Sequence, residues 1–478
     1  MDKTKFSILL DTLIKKSSYS VKRLAEETEI NRTVLQKYMS GSRFPTSYKN
    51  IEKIADKLTL SKENRDILYN TYKIEKVGYY KYERLQMLKT IIENIDYPKE
   101  INNYDFNISY SFNDINDFAG NLDELVFLIR FIIDQVKKSD SHLIKVYLPI
   151  KNQIYDILLD NLNSNSPMTI ELLIKVATVE AGRLENLRQF KDLLPIIFLP
   201  NVEIKYQYDN LSYSQENSFS YPYLICSDEY SLLINTNLTS GILLKNEANA
   251  HLVNQFDQIY QQANLFSESI LTINDIIDYY TNIGGDDNTD IIRSFSYEPC
   301  IVPVLDQDII AKRFAGPSKY RQYVESFLIA YKNQHLEHIK NGKQFIFFFT
   351  KSGLASFYHT GRVSEIPSQF YTPFSKTEVI QLLKRTLNLA RNYPEYRFYL
   401  IDENKFNIPS KFSLALYDSN IFITLGNKND DLTINTIILE PIIKNEFFSL
   451  IDLIELEECS YDFESTFAYI EDFIKKAK

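Results

Sequence analysis

Two histidines and one basic segment are the side chains whose spacing suggests ligand chemistry. His335 and His338 lie three residues apart in a helical pattern, so both imidazoles share a face and could hold a metal ion. No third ligand accompanies them, and we interpret the pair as part of a solvated helix face. Lys351, His359 and Arg362 follow a predicted strand, where loops of α/β sheets bind ligands. These three are candidate residues for binding an anionic effector, with ordinary loop polarity as the alternative.

An acidic loop, Gly284–Asp290, partly matches a calcium-binding pattern. Asp286, Asn288 and Asp290 alternate as calcium ligands would. The glycine expected next is Ile291, and the glutamate expected at the twelfth position is Tyr297. The sequence therefore favours a solvated loop, and we predict no metal site.

Motifs typical of several enzyme classes are absent. There is no Gly-x-x-x-x-Gly-Lys-Ser/Thr phosphate loop, no Gly-x-Gly-x-x-Gly, no His-Glu-x-x-His and no Gly-x-Ser-x-Gly. The three cysteines, Cys226, Cys300 and Cys459, are scattered and odd in number, which favours a reducing compartment over a disulfide framework. We predict a protein without catalytic activity or cofactor.

The stretch Ser20–Pro45 contains two short helical patterns around a break at residues 29–31. Apolar residues recur at helical spacing in both halves: Val21, Leu24 and Ala25, then Val34, Leu35 and Tyr38. Ser20 and Asn31 are suited to cap the helices that follow them. Gly41 follows the second helix, where a left-handed backbone is needed. Two helices joined in this way can place the second in a DNA major groove.

This stretch resembles the Cro/repressor-type (XRE) helix-turn-helix family. Nine positions are in register with the family pattern without a gap: Ser20, Leu24, Ala25, Ile30, Asn31, Leu35, Tyr38, Gly41 and Pro45. The resemblance covers about the first 75 residues. The alternative is a helical hairpin without DNA-binding activity. A match to Ser-x-x-x-Leu-Ala alone would favour that alternative, whereas nine matching positions favour DNA binding.

The resemblance implies which side chains meet DNA. Those implied to face base edges are Arg32, Thr33, Gln36 and Lys37; arginine prefers guanine, and glutamine prefers adenine. Those implied to lie near phosphates are Asn31, Ser42 and Arg43. Two departures from the family are Val21, which replaces a phosphate-binding glutamine, and the pair Met39 and Ile14, which replaces an ion pair. Replacing a buried ion pair by apolar residues is often neutral or stabilising.

Charge is distributed unevenly along the chain. Residues 1–76 hold 16 Lys or Arg against 10 Asp or Glu, a net of +6; because the whole chain carries −10, the rest carries −16. The basic part coincides with the predicted DNA-binding region, and the acidic remainder would repel stray nucleic acid.

The sequence predicts several domains: an all-α helix-turn-helix domain followed by tandem α/β modules. The predicted parts are residues 1–76, with five helices; a helical linker at 77–120; a first α/β module at 121–265; a helical connector at 266–316; and a second α/β module at 317–478. In the linker, an apolar stripe runs from Tyr82 to Ile95. This stripe could form a dimer helix or pack on the following domain.

The two α/β modules have similar patterns. Residues 223–236 and 413–426 each contain a strand, an aspartate (Asp228 or Asp418), a two-residue turn and a second strand. A third strand and an amphipathic helix follow in both. We predict two copies of one module, although hairpin-then-helix is common enough to arise by coincidence.

These modules weakly resemble phospholipase-D-like domains, including the effector domains of sugar-sensing bacterial regulators. The catalytic form requires His-x-Lys-x-x-x-x-Asp with a histidine nucleophile. Only His338 is followed by Lys340 in this way, and Phe345 occupies the aspartate position. The resemblance therefore implies an effector-sensing role without catalysis.

Together these patterns predict a cytoplasmic, homodimeric transcriptional regulator that binds double-stranded DNA and an unknown small-molecule or peptide effector. The first residues lack the apolar core of a signal peptide, and no run of 18 or more apolar residues suggests a membrane span. The alternative is a phage-defence or mobile-element protein that uses the helix-turn-helix to target a nuclease-like or partner-binding C-terminal part.

Overall fold

The computed structural model describes most of the chain. The described residues are 3–96, 115–149, 154, 157–158, 167–209, 221–270, 290–314, 321–366, 371–426 and 433–477. Residues 97–114 of the predicted linker and residues 284–289 of the acidic loop lie outside them. The chain divides into two compact units, an N-terminal unit (Met1–Gln86) and a C-terminal unit (Met87–Lys478).

The N-terminal unit is built from helices. They are α1 (Lys5–Lys16), α2 (Val21–Thr28), α3 (Arg32–Ser40), α4 (Tyr48–Lys57) and α5 (Lys62–Val77), followed by α6 (Tyr79–Asn94), which runs past the boundary. The five predicted helices are present. They share one apolar core, to which Phe6, Leu24, Leu35 and Ile51 each contribute a fully buried side chain.

Helix α6 does not offer the apolar face that a dimer helix requires. Leu85, Leu88, Ile91 and Ile92 are at most 1% exposed in the single chain, and Ile95 is 5% exposed. The apolar stripe is therefore buried within the single chain. This agrees with the alternative in which the stripe packs within the chain, and not with a dimer helix.

Two mixed sheets with helices make up the C-terminal unit. The strands of sheet 1 are β1 (Phe118–Ala119), β2 (Leu143–Tyr147), β3 (Thr169–Ala177), β4 (Val202–Asp209), β5 (Tyr223–Cys226), β6 (Tyr230–Ile234), β7 (Gly241–Lys245) and β8 (Asn264–Leu265). The strands of sheet 2 are β9 (Ser267–Ile270), β10 (Ile291–Ser296), β11 (Gln344–Thr350), β12 (Tyr396–Ile401), β13 (Phe412–Leu416), β14 (Ile421–Gly426) and β15 (Thr433–Ile438).

Helices cover these sheets. Beside sheet 1 are α7 (Leu122–Lys138), α8 (Arg183–Ile197) and α9 (Asn246–Gln262). The second half of the unit adds α10 (Gln307–Arg313), α11 (Arg321–Lys340), α12 (Lys351–Thr360), α13 (Lys376–Asn392), α14 (Pro441–Phe448), α15 (Leu450–Glu457) and α16 (Phe463–Lys476). One large core joins β10, β11 and β12 to α11, α12, α13 and α16 through residues such as Phe347, Phe398, Leu354, Leu382 and Ile470.

The two sheets have the same topology. Sheet 1 contains the order β4-β3-β2-β5-β6-β7-β1, with β8 beyond β4, and sheet 2 has the order β12-β11-β10-β13-β14-β15-β9. In each, the first three strands are parallel neighbours. The remaining pairs are antiparallel. They include the pair made by the short edge strand that comes first in the sequence of each sheet, β1 with β7 and β9 with β15. Shared order and orientation across seven strands support an internal duplication.

The aspartates noted in the sequence occupy equivalent places in the two copies. Asp228 accepts a hydrogen bond from the Ser141 hydroxyl at 2.6 Å, just before β2. Asp418 accepts one from the Asp290 amide at 3.1 Å, just before β10. A side chain of the following helix also donates to each aspartate carbonyl, Asn249 at 2.8 Å and Lys444 at 2.7 Å. Both aspartates therefore fasten a hairpin turn to the start of the central strand.

The segment 266–316, predicted as a helical connector, contains two strands of sheet 2. Strand β9 pairs with β15, and β10 lies between β11 and β13. Only α10 is α-helical among its described residues. The prediction failed because a short apolar run such as Ile291–Ser296 has no period that separates a buried strand from a helix.

Candidate nucleic-acid interface

Local hydrogen bonds fix the helix pair α2 and α3. The Ser20 hydroxyl accepts a hydrogen bond from the Arg23 amide at 3.2 Å, and the Asn31 side-chain oxygen accepts one from the Thr33 amide at 2.9 Å. These bonds satisfy amides that the first turn of a helix leaves unpaired. Glu29, with φ of 58°, makes the turn between the helices, and Gly41, with φ of 76°, ends α3.

One side of α3 is buried and the other faces solvent. Leu35 and Tyr38 are 0% and 2% exposed and belong to the core of the N-terminal unit. All seven residues implied to contact DNA are exposed: Asn31, Arg32, Thr33, Gln36, Lys37, Ser42 and Arg43. The first five lie on α3 or at its cap, and the last two lie in the loop that follows it. The structure thus brings the predicted set together along one helix and its loop.

The charge on this surface is uncompensated. Residues 31–43 contain three basic side chains and no Asp or Glu. Within the described residues, Arg32, Lys37 and Arg43 form no ion pair, whereas Arg23 pairs with Glu27 at 2.9 Å and Lys53 with Glu29 at 3.1 Å. Side chains that lack a protein partner and carry positive charge are those that can neutralise phosphates.

Ile14 and Met39, the pair at which the sequence departs from the resembled pattern, are apolar and share one core. Ile14 is 2% exposed, and Met39 packs against the same cluster. Val21 also packs there, so it offers no donor for a phosphate.

Sequence reasoning overlooked Phe44, which supports the loop after α3. Its ring stacks on Tyr72 at 5.1 Å, and the Tyr72 hydroxyl donates to the Pro45 carbonyl at 3.2 Å. The Arg43 amide donates to the Lys37 carbonyl at 3.2 Å. An aromatic residue directly before Pro45 was the available signal. These contacts position Ser42 and Arg43 beside α3.

The candidate effector residues are not gathered at one point. The segment 351–360 is a helix, α12, rather than the predicted loop. Lys351 lies in its first turn, where its ammonium contacts the Tyr461 hydroxyl at 2.9 Å. His359 lies in its last turn, roughly 12 Å along the axis at 1.5 Å per residue. Arg362 follows and packs over the Tyr371 ring at 5.6 Å.

The two histidines each lie near a backbone carbonyl, and His335 is buried rather than on the predicted solvated face. His335 is 3% exposed; its Nδ1 lies 2.9 Å from the Tyr331 carbonyl, and burial lowers its pKa to about 4. His338 Nε2 lies 3.1 Å from the Gln344 carbonyl. Among the described residues, no group of three or more His, Cys, Asp or Glu is placed to hold a metal ion.

Within the described ranges, no helix combines the length and the apolar character that crossing a bilayer demands.

Comparisons with known proteins identify no family for this chain. No family model matches the chain, and no curated protein matches it. Solved structures with similarity include a polyphosphate kinase from Porphyromonas gingivalis, at 10% identity and TM-score 0.21, covering 73% of this chain and 54% of that one. The chain thus spans about half the length of the kinase.

Two further solved structures are similar at the same level. One is an archaeal chromatin protein described as showing a novel mode of DNA binding, at 8% identity and TM-score 0.21, covering 44% of this chain and 60% of that one. The other is a phosphatidylserine synthase from Haemophilus influenzae, at 11% identity and TM-score 0.22, covering 82% and 98%. Scores this low carry no argument about fold or function.

Proposed function

We propose that this protein is a sequence-specific DNA-binding transcriptional regulator of the XRE type. Its α2 and α3 form the helix-turn-helix, and α3 is the recognition helix. The observation that carries this proposal is the outer face of α3, where the side chains of Arg32, Gln36 and Lys37 are exposed and form no hydrogen bond or ion pair with the described residues. A capped, well-packed helix that presents such side chains is suited to the major groove.

We assign roles to the residues in and beside α3 as the family resemblance implies them. Arg32, Thr33, Gln36 and Lys37 are the base-reading residues. Asn31, Ser42 and Arg43 are the phosphate contacts at the two ends of the helix. The Asn31 oxygen is used by the cap, which leaves its amide nitrogen as the donor to a phosphate.

The C-terminal tandem is assigned to effector sensing or assembly, without catalysis. The sequence lacks the catalytic motif of the phospholipase-D-like form, and the turn aspartates Asp228 and Asp418 accept hydrogen bonds that hold the hairpins. Lys351, His359 and Arg362 are spread along helix α12 and the residues after it rather than gathered in one pocket. A homodimer that reads two half-sites fits this class of DNA-binding domain.

The test begins with full-length protein and a pool of random duplexes, from which preferred sequences are selected. Arg32→Ala should weaken binding to the selected duplex by about 1–3 kcal/mol, or roughly 5- to 150-fold, while binding to a scrambled duplex changes far less. Lys16→Ala, an exposed lysine at the far end of α1, is the control of equal charge. Equal losses on both duplexes would refute base reading, and no binding to any duplex would refute the proposal.

A further inference from the structure

The two copies carry a basic residue at the same place in their sheets. Lys145 on β2 is in register with Cys226, the last residue of β5, and Arg293 on β10 is in register with Leu416, the last residue of β13. Strands β2 and β10 each join the parallel part of a sheet to its antiparallel part. Lys145 and Arg293 are therefore equivalent residues of the duplicated module, and their surroundings can be compared directly.

The two residues differ in what balances their charge. The Lys145 ammonium forms an ion pair with Asp257 of α9. The partly exposed Arg293 guanidinium forms no hydrogen bond or ion pair with the described residues, and its Nε is buried without an acceptor. Holding a charge partly out of water without a counter-ion is unfavourable. Arg293 thus carries a positive charge that the described part of the chain leaves unbalanced.

A helix break in the second copy accounts for this difference. In the first copy, α9 is one continuous helix of 17 residues. In the second copy, the corresponding helix is interrupted at Ser449, which ends α14 and begins α15. Phe448, the last residue of α14, lies over Arg293, with its ring centre 5.9 Å from the guanidinium carbon. An aromatic ring therefore lies beside the basic side chain where the first copy has a carboxylate.

The carboxylate equivalent to that of Asp257 is present in the sequence but is not paired in this way. Asp257 lies eight residues after Asn249, and Asp452 lies eight residues after Lys444. Asn249 and Lys444 are the side chains that donate to the two turn-aspartate carbonyls, so they mark the same place in each copy. Asp452 interacts with another group and forms no ion pair with Arg293. The helix break thus separates an acid from the base that it would neutralise.

A second arginine lies on the same face of sheet 2. Arg293 is in register with Ile346 on β11, which is in register with Arg397 on β12, so the three side chains share one face. Arg397 Nη1 donates to the carbonyls of Tyr393 at 3.3 Å and Tyr396 at 3.1 Å, and no carboxylate of the described residues pairs with it. Two guanidinium groups without acidic partners therefore occupy the positions on either side of Ile346.

We infer that Arg293 binds the carboxylate or phosphate group of a small anionic effector, and that the second copy is the sensing half of the tandem. This rests on the effector-sensing role proposed above. A guanidinium pairs with such oxyanions through two parallel hydrogen bonds. Phe448 and Ile346 give the rest of the molecule an apolar contact, and Arg397 adds positive charge to the same face.

The position of Arg293 favours a small anion over a phosphate of the duplex or an acidic side chain of a partner protein. Strand β10 is an interior strand with β11 and β13 on either side, and Phe448 of α14 covers the guanidinium. A macromolecular surface meets the outside of α14 before it meets this strand. Free phosphates and free carboxylates share the chemistry that recognises them, so the experiment separates the two.

The test follows thermal unfolding of full-length protein in chloride buffer while inorganic phosphate or succinate is titrated in at constant ionic strength. One of the two anions should raise the unfolding midpoint of the C-terminal unit by about 2 °C or more, along a curve that saturates. Arg293→Met should remove the shift. Arg293→Lys keeps the charge but lacks the planar fork, and should weaken binding about 10-fold, the loss of one charge-assisted hydrogen bond. The control Arg188→Met removes an exposed arginine of α8 and should shift like wild type.

Stability without added anion gives a second, independent readout. Because Arg293 has no partner among the described residues, Arg293→Met should leave the unfolding midpoint in chloride buffer unchanged or higher. Lys145→Met leaves the Asp257 carboxylate without its partner and should lower the midpoint. An equal fall in both variants would overturn the inference, because Arg293 would then be balanced by the protein itself.

Two further results would overturn the inference: no shift of wild type with either anion, or a shift of the same size in Arg293→Met. Binding of the wild type to its selected duplex is measured on the same samples. If the duplex is bound while the anions have no effect, the DNA-binding role stands and the anion site falls. If the anions act through Arg293 but no duplex is bound, the DNA-binding role falls and the anion site stands.

Discussion

Glu298 is the buried carboxyl group whose ionisation the fold resists most clearly. It is 6% exposed, and one of its oxygens accepts hydrogen bonds from the Ser364 amide at 3.1 Å and hydroxyl at 2.6 Å. Burial raises its pKa to about 7, and the Ser364 bonds offset only part of that effect. Glu365 lies next to Ser364; burial raises its pKa to about 6, and it accepts a bond from the Ile301 amide at 2.9 Å.

Stability should therefore depend on pH through Glu298. In the unfolded chain the carboxyl ionises near its ordinary value of 4.5, while in the folded protein it keeps its proton to about pH 7. Its contribution is full below pH 4.5, declines as the pH rises to 7 and stays low above it. The loss approaches about 3 kcal/mol, at about 1.4 kcal/mol per pH unit.

The variant Glu298→Gln isolates this effect because its side chain cannot ionise. Urea unfolding at pH 5 and pH 7.5 should show that the variant gains on wild type by a few kcal/mol between the two values. The exposed Glu455→Gln should show no such gain. A constant difference between Glu298→Gln and wild type at both pH values would contradict a buried, proton-bearing Glu298.

The hairpin turns show at the level of elements why the copies fold alike. Asp228 and Asp418 are exposed, so their substitution leaves no cavity and changes mainly a hydrogen bond. Asp228→Ala and Asp418→Ala should each lower the free energy of unfolding of the C-terminal unit by about 0.5–1.5 kcal/mol. Asp228→Asn and Asp418→Asn retain an acceptor oxygen and should cost much less. If Asn and Ala variants are equally destabilised, the carboxylate charge rather than the hydrogen bond is what matters.

Elements governed by local signals could be predicted from the sequence. Helices α2 and α3 are bounded by Ser20, Asn31 and Gly41, and the caps form as their residue types predict. The hairpins around Asp228 and Asp418 also depend on neighbouring residues. Local chemistry alone was sufficient in these cases.

Elements governed by distant partners could not be predicted. Strand β9 is a strand because Ser269 pairs with Thr436, far away in sequence. Helix α12 was missed because the residues after the strand were interpreted as a loop. The structure requires glycine at Gly353, because a Cβ there would lie 1.6 Å from the Tyr297 carbonyl oxygen. The candidate effector residues, chosen as members of one loop, are spread along this helix and the residues after it.

At the scale of the whole molecule, the two compact units have separate cores. Leu35 is fully buried in the core of the N-terminal unit, and Leu382 is fully buried in the main core of the C-terminal unit. Leu35→Ala and Leu382→Ala each remove three heavy atoms from such a site. Each should lower the free energy of unfolding of the unit that contains it by about 2–5 kcal/mol, because transfer energy is lost and a cavity remains.

Hydrogen exchange of the full-length protein can follow both units at once. Leu35→Ala should speed exchange in residues 5–77 and leave β10–β12 protected, while Leu382→Ala should do the reverse. Because the proposed recognition helix is docked by Leu35, the first variant should also lose duplex affinity, whereas the second should retain the direct contacts of α3. If both variants raised the exchange rates of the same amides to the same extent, the two units would unfold as one cooperative block. The proposed control of DNA binding by the C-terminal tandem would then have to act through the stability that the two units share, rather than through a change at a separate domain.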